Sequence, residues 1–205
     1  MGAIGFGEMT AEHVSRRPGH PYITAPPDHP LFLHLAEIAA EYDVPIDFHM
    51  EAVPDDMATP DALKFNPNPE KLRANIRRFE RLLAHNRKAK FIWSHAGWGN
   101  TGKRTPALMR RLLMEHSNLF MSLKIKKSGL RGISPIDRTR QIRNVWMGLL
   151  NDFPNRFMIG SDYKLKGKGL PGGKSQQIPR NFLRQLPPRL AQKVGFENAK
   201  RVFKF

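Results

Sequence analysis

The sequence predicts an α/β domain in which parallel strands alternate with helices. Short apolar runs, typical of strands buried on both faces, alternate with longer segments of helical period. The runs cover residues 3–9, 44–50, 90–96, 119–125 and 156–162. This alternation is the pattern of a parallel sheet with right-handed crossovers. Five such strands fit an open doubly wound sheet or part of an eight-stranded barrel, and a full barrel needs about 250 residues.

Amphipathic segments between the strands predict the helices. Residues 28–42 form the first helix, with Asp28 as N-cap. Its expected apolar stripe is Leu31, Leu35, Ile38 and Tyr42. Further helices are expected within residues 69–86, 105–116, 137–153 and 187–203, the last with a kink near Gly195. Segments 10–27 and 163–180 are rich in proline, glycine and basic residues, which predicts two long loops.

Composition indicates one domain and excludes several classes of protein. The chain has 205 residues, of which 40% are hydrophobic and 25% charged, as in ordinary globular domains. Without cysteine there is no disulfide, zinc ribbon or catalytic thiol. No apolar run is long enough for a membrane span, and the first residues do not resemble a signal peptide. The compartment stays undecided, with the cytoplasm as the default expectation.

The charge is strongly positive, with 34 Lys and Arg against 18 Asp and Glu, a net +16. Such an excess favours polyanions. However, the basic residues are spread over helical segments and one loop, without a nucleic-acid module, so solvated faces are the favoured interpretation and a nucleic-acid partner is not expected. Lys164, Lys166 and Lys168 could meet an anionic substrate, although a solvated loop is favoured there too.

Residues with metal-ligand or acid–base chemistry end several predicted strands: Glu8, His49, His95 and Asp162. Active sites of α/β sheets and barrels form at the carboxyl ends of the strands. Imidazole nitrogens and carboxylate oxygens bind zinc and similar ions, and a nearby carboxylate can act as general base. Singly, each residue also has a structural interpretation, as a hydrogen-bonded histidine, a turn aspartate or an ion-paired glutamate. Together they support the hypothesis of a metal or acid–base site.

Five motifs in order, GAIGFGEM, VPIDFHMEA, FIWSHAGW, FMIGSDY and FENAKRVF, resemble the amidohydrolase-related family. They correspond to its strands four, five, six and eight and its closing helix. The resemblance implies a partial (β/α)8 TIM barrel, about strands 4–8 with their helices, as a single domain over residues 1–205. It also implies one or two divalent metal ions, with zinc expected.

The resemblance assigns roles by position. His49 would be a metal ligand, and His95 would bind metal or polarise the substrate. Asp162 would bind metal and take a proton from the attacking water. Glu8 lies where some members have a metal-bridging carboxylate or modified lysine, and its role is the least defined. Trp98, just beyond His95, is a candidate for lining a substrate pocket.

The sequence departs from the family at its beginning, because the His-x-His pair of the first family strand is absent. We therefore expect a fragment truncated at its N-terminus. The alternative is a short protein whose open edge is covered by another chain or by a second copy in a homo-oligomer. Nothing in the spacing of His13, His20 and His29 indicates that one of them replaces the missing pair. Glu51, two residues beyond His49, could supply an oxygen ligand, but a cap of the loop that follows it is the favoured interpretation.

The function expected from the resemblance is metal-dependent hydrolysis. Metal-activated water would attack a C–N or C–O bond of a small organic substrate. A metal-dependent decarboxylase on the same scaffold is the near alternative, since family members share the site and differ in reaction. A third possibility is a non-catalytic basic protein with an incomplete metal site, which binds polyanions or a partner chain.

Overall fold

A six-stranded sheet organises the fold in a computed structural model, which describes residues 2–65, 67–126, 129–160, 162 and 176–205. The strands along the chain are β1 (Phe6–His13), β2 (Ile23–Thr24), β3 (Pro45–Met50), β4 (Met57–Ala58), β5 (Lys71–Leu72), β6 (Lys90–Ala96), β7 (Leu119–Leu123) and β8 (Phe157–Ile159). The main sheet has the order β2-β1-β3-β6-β7-β8, and all its pairings are parallel except β1 with β2. Strands β4 and β5 form a separate antiparallel pair. Over the described residues the sheet does not close, which is the architecture of a partial barrel.

Helices connect the parallel strands and complete the chain. They are α1 (Pro30–Glu41), α2 (Ile76–His85), α3 (Pro106–Glu115), α4 (Asn144–Asp152), α5 (Gln177–Leu183), α6 (Pro188–Gln192) and α7 (Asn198–Phe203), with a short 3-10 helix at Asp61–Leu63. The predicted kink near Gly195 coincides with a π-helical turn, Lys193–Glu197, between α6 and α7. None of the helices in the described part of the chain is long and apolar enough to cross a membrane.

The core lies between the sheet and the crossover helices. Phe48 of β3 stacks on Phe79 of α2 with 5.5 Å between ring centroids, and Phe79 contacts Trp93 of β6. Trp93 and Trp146 are completely buried. Full burial of one such side chain contributes about 1.5–3 kcal/mol, so these aromatic contacts tie strands β3 and β6 to the helix layer.

The predicted apolar stripe of α1 is wrong at both ends. Leu31 is 71% exposed and Tyr42 is 68% exposed, whereas Ala36 and Ala39 are completely buried. Small side chains let a helix lie close to its neighbours, so α1 packs through its alanines. The larger residues that periodicity assigns to the core therefore lie at the margins of the contact.

The N-cap of α1 is also one residue later than predicted. The side chain of His29 accepts a hydrogen bond from the backbone N–H of Leu31 at 3.2 Å. Asp28 instead accepts a hydrogen bond from Arg81 of α2 at 2.9 Å. The ion pair between the two helices takes the carboxylate away from the capping position.

Strand β1 lies further along the chain than predicted, because it begins at Phe6 and not at residue 3, and residues 10–13 continue it into the segment expected to be a loop. Thr10 lies opposite His49 of β3, and Glu12 and His13 pair with β2. Glu12 is only 5% exposed. This segment contains a single apolar residue, Ala11, and its pairing with the two flanking strands holds it extended.

Strand β8, at the other edge of the sheet, is shorter than predicted. It ends at Ile159, and Asp162 follows three residues later. Of the predicted loop 163–180, residues 163–175, and with them Lys164, Lys166 and Lys168, lie outside the described residues. The end of that prediction is wrong, because α5 begins at Gln177.

Candidate metal centre

His49 and His95 come from neighbouring parallel strands. Each is the residue before the last of its strand, β3 and β6 respectively. Since the carboxyl ends of the two strands meet at one edge of the sheet, the imidazole rings lie together, with centroids 4.9 Å apart and planes at 86°. Both side chains are largely buried, at 12% and 13% exposure.

Glu8 of β1 completes a group of three metal-ligand side chains. Its Oε1 contacts Nδ1 of His49 and lies 3.7 Å from Nε2 of His95. One ligand atom from each residue lies within 4.8 Å of the other two. The register of β1 against β3 shifts between Phe6 and Met9, and such irregularities re-aim side chains. This shift brings a residue from the middle of β1 to the edge where the histidines lie.

The backbone at two of the predicted site residues is left-handed. His95 has a φ of 65° and Asp162 a φ of 47°. This conformation is uncommon for residues other than glycine, and such residues concentrate at active sites. A tight turn follows His95, in which the Trp98 N–H donates to the His95 carbonyl at 2.9 Å and Gly97 has a φ of 87°.

The environment of His95 keeps its imidazole neutral. Burial lowers the pKa of His95 to about 2, with further lowering by the charges of Lys124, His49 and Arg104. A neutral imidazole has a free lone pair on one nitrogen, which is the form that binds metal ions. At neutral pH His95 is therefore ready to act as a ligand and unsuited to donate a proton.

The chemistry of this donor set fits a divalent ion. Two imidazole nitrogens and one carboxylate oxygen are a common ligand set of catalytic zinc, with a further position for water. The donor atoms all lie within 4.8 Å of one another. Glu8, His49 and His95 are thus a candidate ligand set for a divalent ion.

His13 and His20 extend the row of imidazoles beyond His49. Nδ1 of His13 lies 3.1 Å from Nε2 of His49, and Nε2 of His13 lies 3.1 Å from Nδ1 of His20. Burial, and then the neighbouring His49 and His20, lower the pKa of His13. Sequence spacing did not indicate this position. His13 is the last residue of β1 and therefore shares the carboxyl edge with His49, but the apolar pattern ends at residue 9 and does not indicate that the strand continues to His13.

Asp162 lies apart from the three-ligand group in the described structure. Its carboxylate forms an ion pair with Nζ of Lys124, which is 11% exposed. Lys124 in turn lies close enough to His95 to lower its pKa. Asp162 therefore borders the centre through Lys124, and its predicted roles as metal ligand and proton acceptor stay predictions.

Trp98 borders the same edge of the sheet. The Arg16 guanidinium lies 4.6 Å from its ring and the Lys124 ammonium lies 5.4 Å from it. An indole between two cations is favourable through the electrostatics of its π face. The predicted role of Trp98 in lining a substrate pocket is compatible with this position and stays a prediction.

Glu51 acts as a loop cap, but it caps the loop after β6 and not, as the sequence predicts, the loop that directly follows it. Its Oε2 accepts hydrogen bonds from the backbone N–H groups of Asn100 at 2.9 Å and Thr101 at 3.3 Å. The capped loop is the one that follows His95 on β6. Glu51 therefore fixes the loop that borders the metal centre.

A buried arginine joins the two strands that carry the histidines. Arg104 is 2% exposed and donates hydrogen bonds to the carbonyls of Met50 on β3 and Ser94 on β6. Its guanidinium lies 4.5 Å from the ring of Trp93. Burial lowers the pKa of Arg104 to about 10, which still leaves it charged at neutral pH. The sequence contains no pattern that singles out this arginine among the others.

The crossover architecture and the donors at its carboxyl edge place the chain among (β/α)8-barrel proteins. A family model described as amidohydrolase matches residues 10–205, nearly the whole chain. The chain therefore belongs to the amidohydrolase family, and the family predicted from its motifs is confirmed.

Solved structures support the fold. An uncharacterized TIM-barrel protein, Bb4693 from Bordetella bronchiseptica, superposes with a TM-score of 0.56 at 16% identity, over 88% of this chain and 52% of that chain. A dihydroorotase from Campylobacter jejuni matches with a TM-score of 0.46 at 13% identity, over 83% of this chain and 51% of that chain. No curated protein matches the sequence significantly. The chain spans about half the length of these structures, and the Bordetella likeness confirms the partial barrel.

Proposed function

We propose that the chain carries the metal centre of a hydrolase that uses water to cleave a C–N or C–O bond of a small organic molecule. The observation that supports this most directly is the group formed by Glu8, His49 and His95, with donor atoms within 4.8 Å of one another. Membership of the amidohydrolase family supports the hydrolytic class. Zinc is the ion that these donors suit best.

In this proposal Glu8, His49 and His95 hold the ion. A bound divalent ion would lower the pKa of a coordinated water and polarise the scissile bond. The low pKa of His95 keeps that side chain neutral, so His95 does not supply protons. Proton transfer then falls to Asp162, at the same edge of the sheet.

Lys124 prepares Asp162 for this task. The ion pair with Nζ of Lys124 holds the Asp162 side chain in place, and a carboxylate can accept a proton from water. Once Asp162 is protonated its attraction to Lys124 weakens, and the side chain can pass the proton to the leaving group. Trp98 contacts the same lysine and covers it from one side.

Metal content of the purified chain, measured by elemental analysis, tests the centre. We expect about one divalent ion per chain, lost in His49→Ala and His95→Ala and reduced in Glu8→Gln. His85→Ala is the matched control, because His85 also pairs with a glutamate, Glu37, but on the helix surface. A folded chain that binds no divalent ion, or equal loss in the control, would refute the proposal.

A further inference from the structure

A second feature at the carboxyl edge of the sheet is a pocket of about 530 Å³ in the segment that follows β7. Residues between 129 and 143 line it, and three of them are arginines: Arg131, Arg138 and Arg143. The acidic residue in the lining is Asp137. Three positive charges and one negative charge give the pocket an excess of two positive charges.

In the part of the chain that the structure describes, the three arginines are not paired with a carboxylate. Among the ion pairs formed within the described residues, none includes Arg131, Arg138 or Arg143. The Nε of Arg143 is buried and has no hydrogen-bond acceptor. Leaving a buried charged donor without an acceptor costs free energy. An anion in the pocket would accept this hydrogen bond and so remove the cost.

Asp137 forms no ion pair with the three arginines within the described residues, although the charge of Arg143 is among the causes that lower its pKa, and its carboxylate is hydrogen-bonded within its own turn. Its Oδ1 accepts hydrogen bonds from the backbone N–H groups of Thr139 and Gln141 and from the Thr139 hydroxyl, at 2.7–3.0 Å. These bonds lower the pKa of Asp137, first through the Thr139 side chain. The aspartate therefore shapes the turn that presents Arg138 and leaves the guanidiniums available.

The pocket segment packs directly on the loop of the metal centre. The Cδ of Pro135 approaches Gly97 so closely that a Cβ added there would lie 2.8 Å from it. Gly97 follows His95 by two residues. Pro135 also accepts, through its carbonyl, a hydrogen bond from the Arg143 N–H at 3.0 Å. A molecule held by the arginines is thereby placed on the side of the sheet where the candidate ligands lie.

Guanidinium groups recognise carboxylate and phosphate groups through paired charge-assisted hydrogen bonds. The volume of the pocket falls within the range of sites for small organic ligands. The charge excess disfavours a cationic ligand. The chemistry therefore selects an anion with oxygen acceptors.

We infer that this pocket binds the carboxylate or phosphate group of a small-molecule substrate and anchors it beside the metal centre. Anion binding follows from the pocket alone, whereas its role as a substrate anchor rests on the proposed hydrolase function. The anion would bind Arg143 in the interior of the pocket and Arg131 and Arg138 at its exposed rim.

Calorimetric titration of the full chain with inorganic phosphate and, separately, with malonate tests the pocket, with and without a metal chelator. We expect saturable binding in both conditions, weakened about tenfold or more by Arg143→Met and by Arg131→Met, the loss expected for one charge-assisted hydrogen bond. Arg140→Met, in the same segment but outside the pocket lining, should stay within about twofold of the wild type. Arg131 is exposed, so its variant tests the site even if Arg143→Met folds poorly.

The outcomes separate the two proposals. Equal weakening in Arg140→Met would show a general effect of positive charge and overturn the pocket, as would the absence of saturable binding. Binding that disappears with the chelator would assign the anion to the metal and overturn the pocket as well. Anion binding by a chain that never holds metal would support the pocket and refute the hydrolase. The stronger of the two anions identifies phosphate or carboxylate as the preferred group.

Discussion

Two clusters in this molecule offer similar metal-ligand atoms in different surroundings. In the first, Glu8, His49 and His95 lie at the carboxyl edge of the sheet; in the second, Glu80, Glu115 and His116 lie between α2 and α3. In both, the ligand atoms lie within 4.8 Å of one another. Proximity of donors therefore does not distinguish a metal centre from a structural cluster.

The difference lies in what neutralises the carboxylates. In the helix cluster, the Arg111 guanidinium binds both Glu80 and Glu115, the latter at 2.8 Å. A cation would have to displace this arginine. At the sheet edge, the ion-pair partners of Glu8 among the described residues are His49 and His95 themselves. These partners are neutral when a metal binds them, so the charge of Glu8 remains available to a cation.

The largest expected effect is a difference in zinc binding between variants of the two clusters. His95→Ala should abolish stoichiometric zinc binding, because it removes one of three ligands. Glu80→Gln should leave zinc binding unchanged, because that carboxylate already binds Arg111. Competition with a fluorescent zinc chelator measures both affinities. Equal loss in the two variants would show that the clusters do not differ in the way described.

A second effect concerns catalysis. Asp162→Asn should lower kcat by about 10²-fold or more while the chain keeps its metal, since an amide cannot accept the proton. Asp152→Asn is the matched control, because Asp152 forms an ion pair with Arg110 on the helix surface. Hydrolysis rates on a panel of small lactones and amides, with metal content measured in parallel, check this. Loss of metal together with activity would make Asp162 a ligand and not a base.

A third effect is the dependence of stability on pH in the metal-free chain. The pKa of His95 falls from 6.5 to about 2 on folding, mainly through burial. Between these values the unfolded chain binds the extra proton, so stability rises with pH and is lost as the pH falls below about 6.5. One proton contributes at most about 1.4 kcal/mol per pH unit. Urea unfolding at pH 5, 6 and 7 should show this slope, and His95→Asn should flatten it; an unchanged slope would contradict the assignment.

The smallest expected effect is a gain of metal binding by the second cluster when its arginine is removed. Arg111→Met removes two exposed ion pairs, each worth at most about 1 kcal/mol, and leaves Glu80 and Glu115 without their cation. We expect slightly lower stability in urea and weak additional binding of a divalent ion. Arg77→Met, on α2 without a described ion pair, is the control. A variant that gains no affinity for divalent ions would show that Arg111 is not what keeps cations out.

The sequence predicted the part of the site that depends on regular structure. His49 and His95 follow apolar runs that form β3 and β6 with almost the expected bounds, and parallel neighbours necessarily bring their ends together. Glu8 was identified from its residue type, but its place depends on a register shift against β3, which is a property of the pair of strands.

The parts that escaped prediction depend on tertiary contacts. The polar segment that ends in His13 is held extended by β2 and β3, so a local pattern shows a loop where a strand continues. The buried face of α1 is set by Ala36 and Ala39, because close approach to neighbouring elements outweighs the size of the hydrophobic residue. Asp162 lies beyond the last regular hydrogen bond of β8, where no periodicity guides a prediction.

Arg104 has a consequence for how a metal ion would enter and leave the candidate centre. Because its guanidinium clamps the carbonyls of Met50 and Ser94, the spacing between the strands that carry His49 and His95 is maintained by the protein itself. An ion would then bind to side chains that are already correctly spaced, and its binding would not have to bring the two strands together. Chelation should therefore empty the centre reversibly, with the cooperativity of unfolding retained. In a variant that lacks Arg104, folding should instead depend on the bound ion.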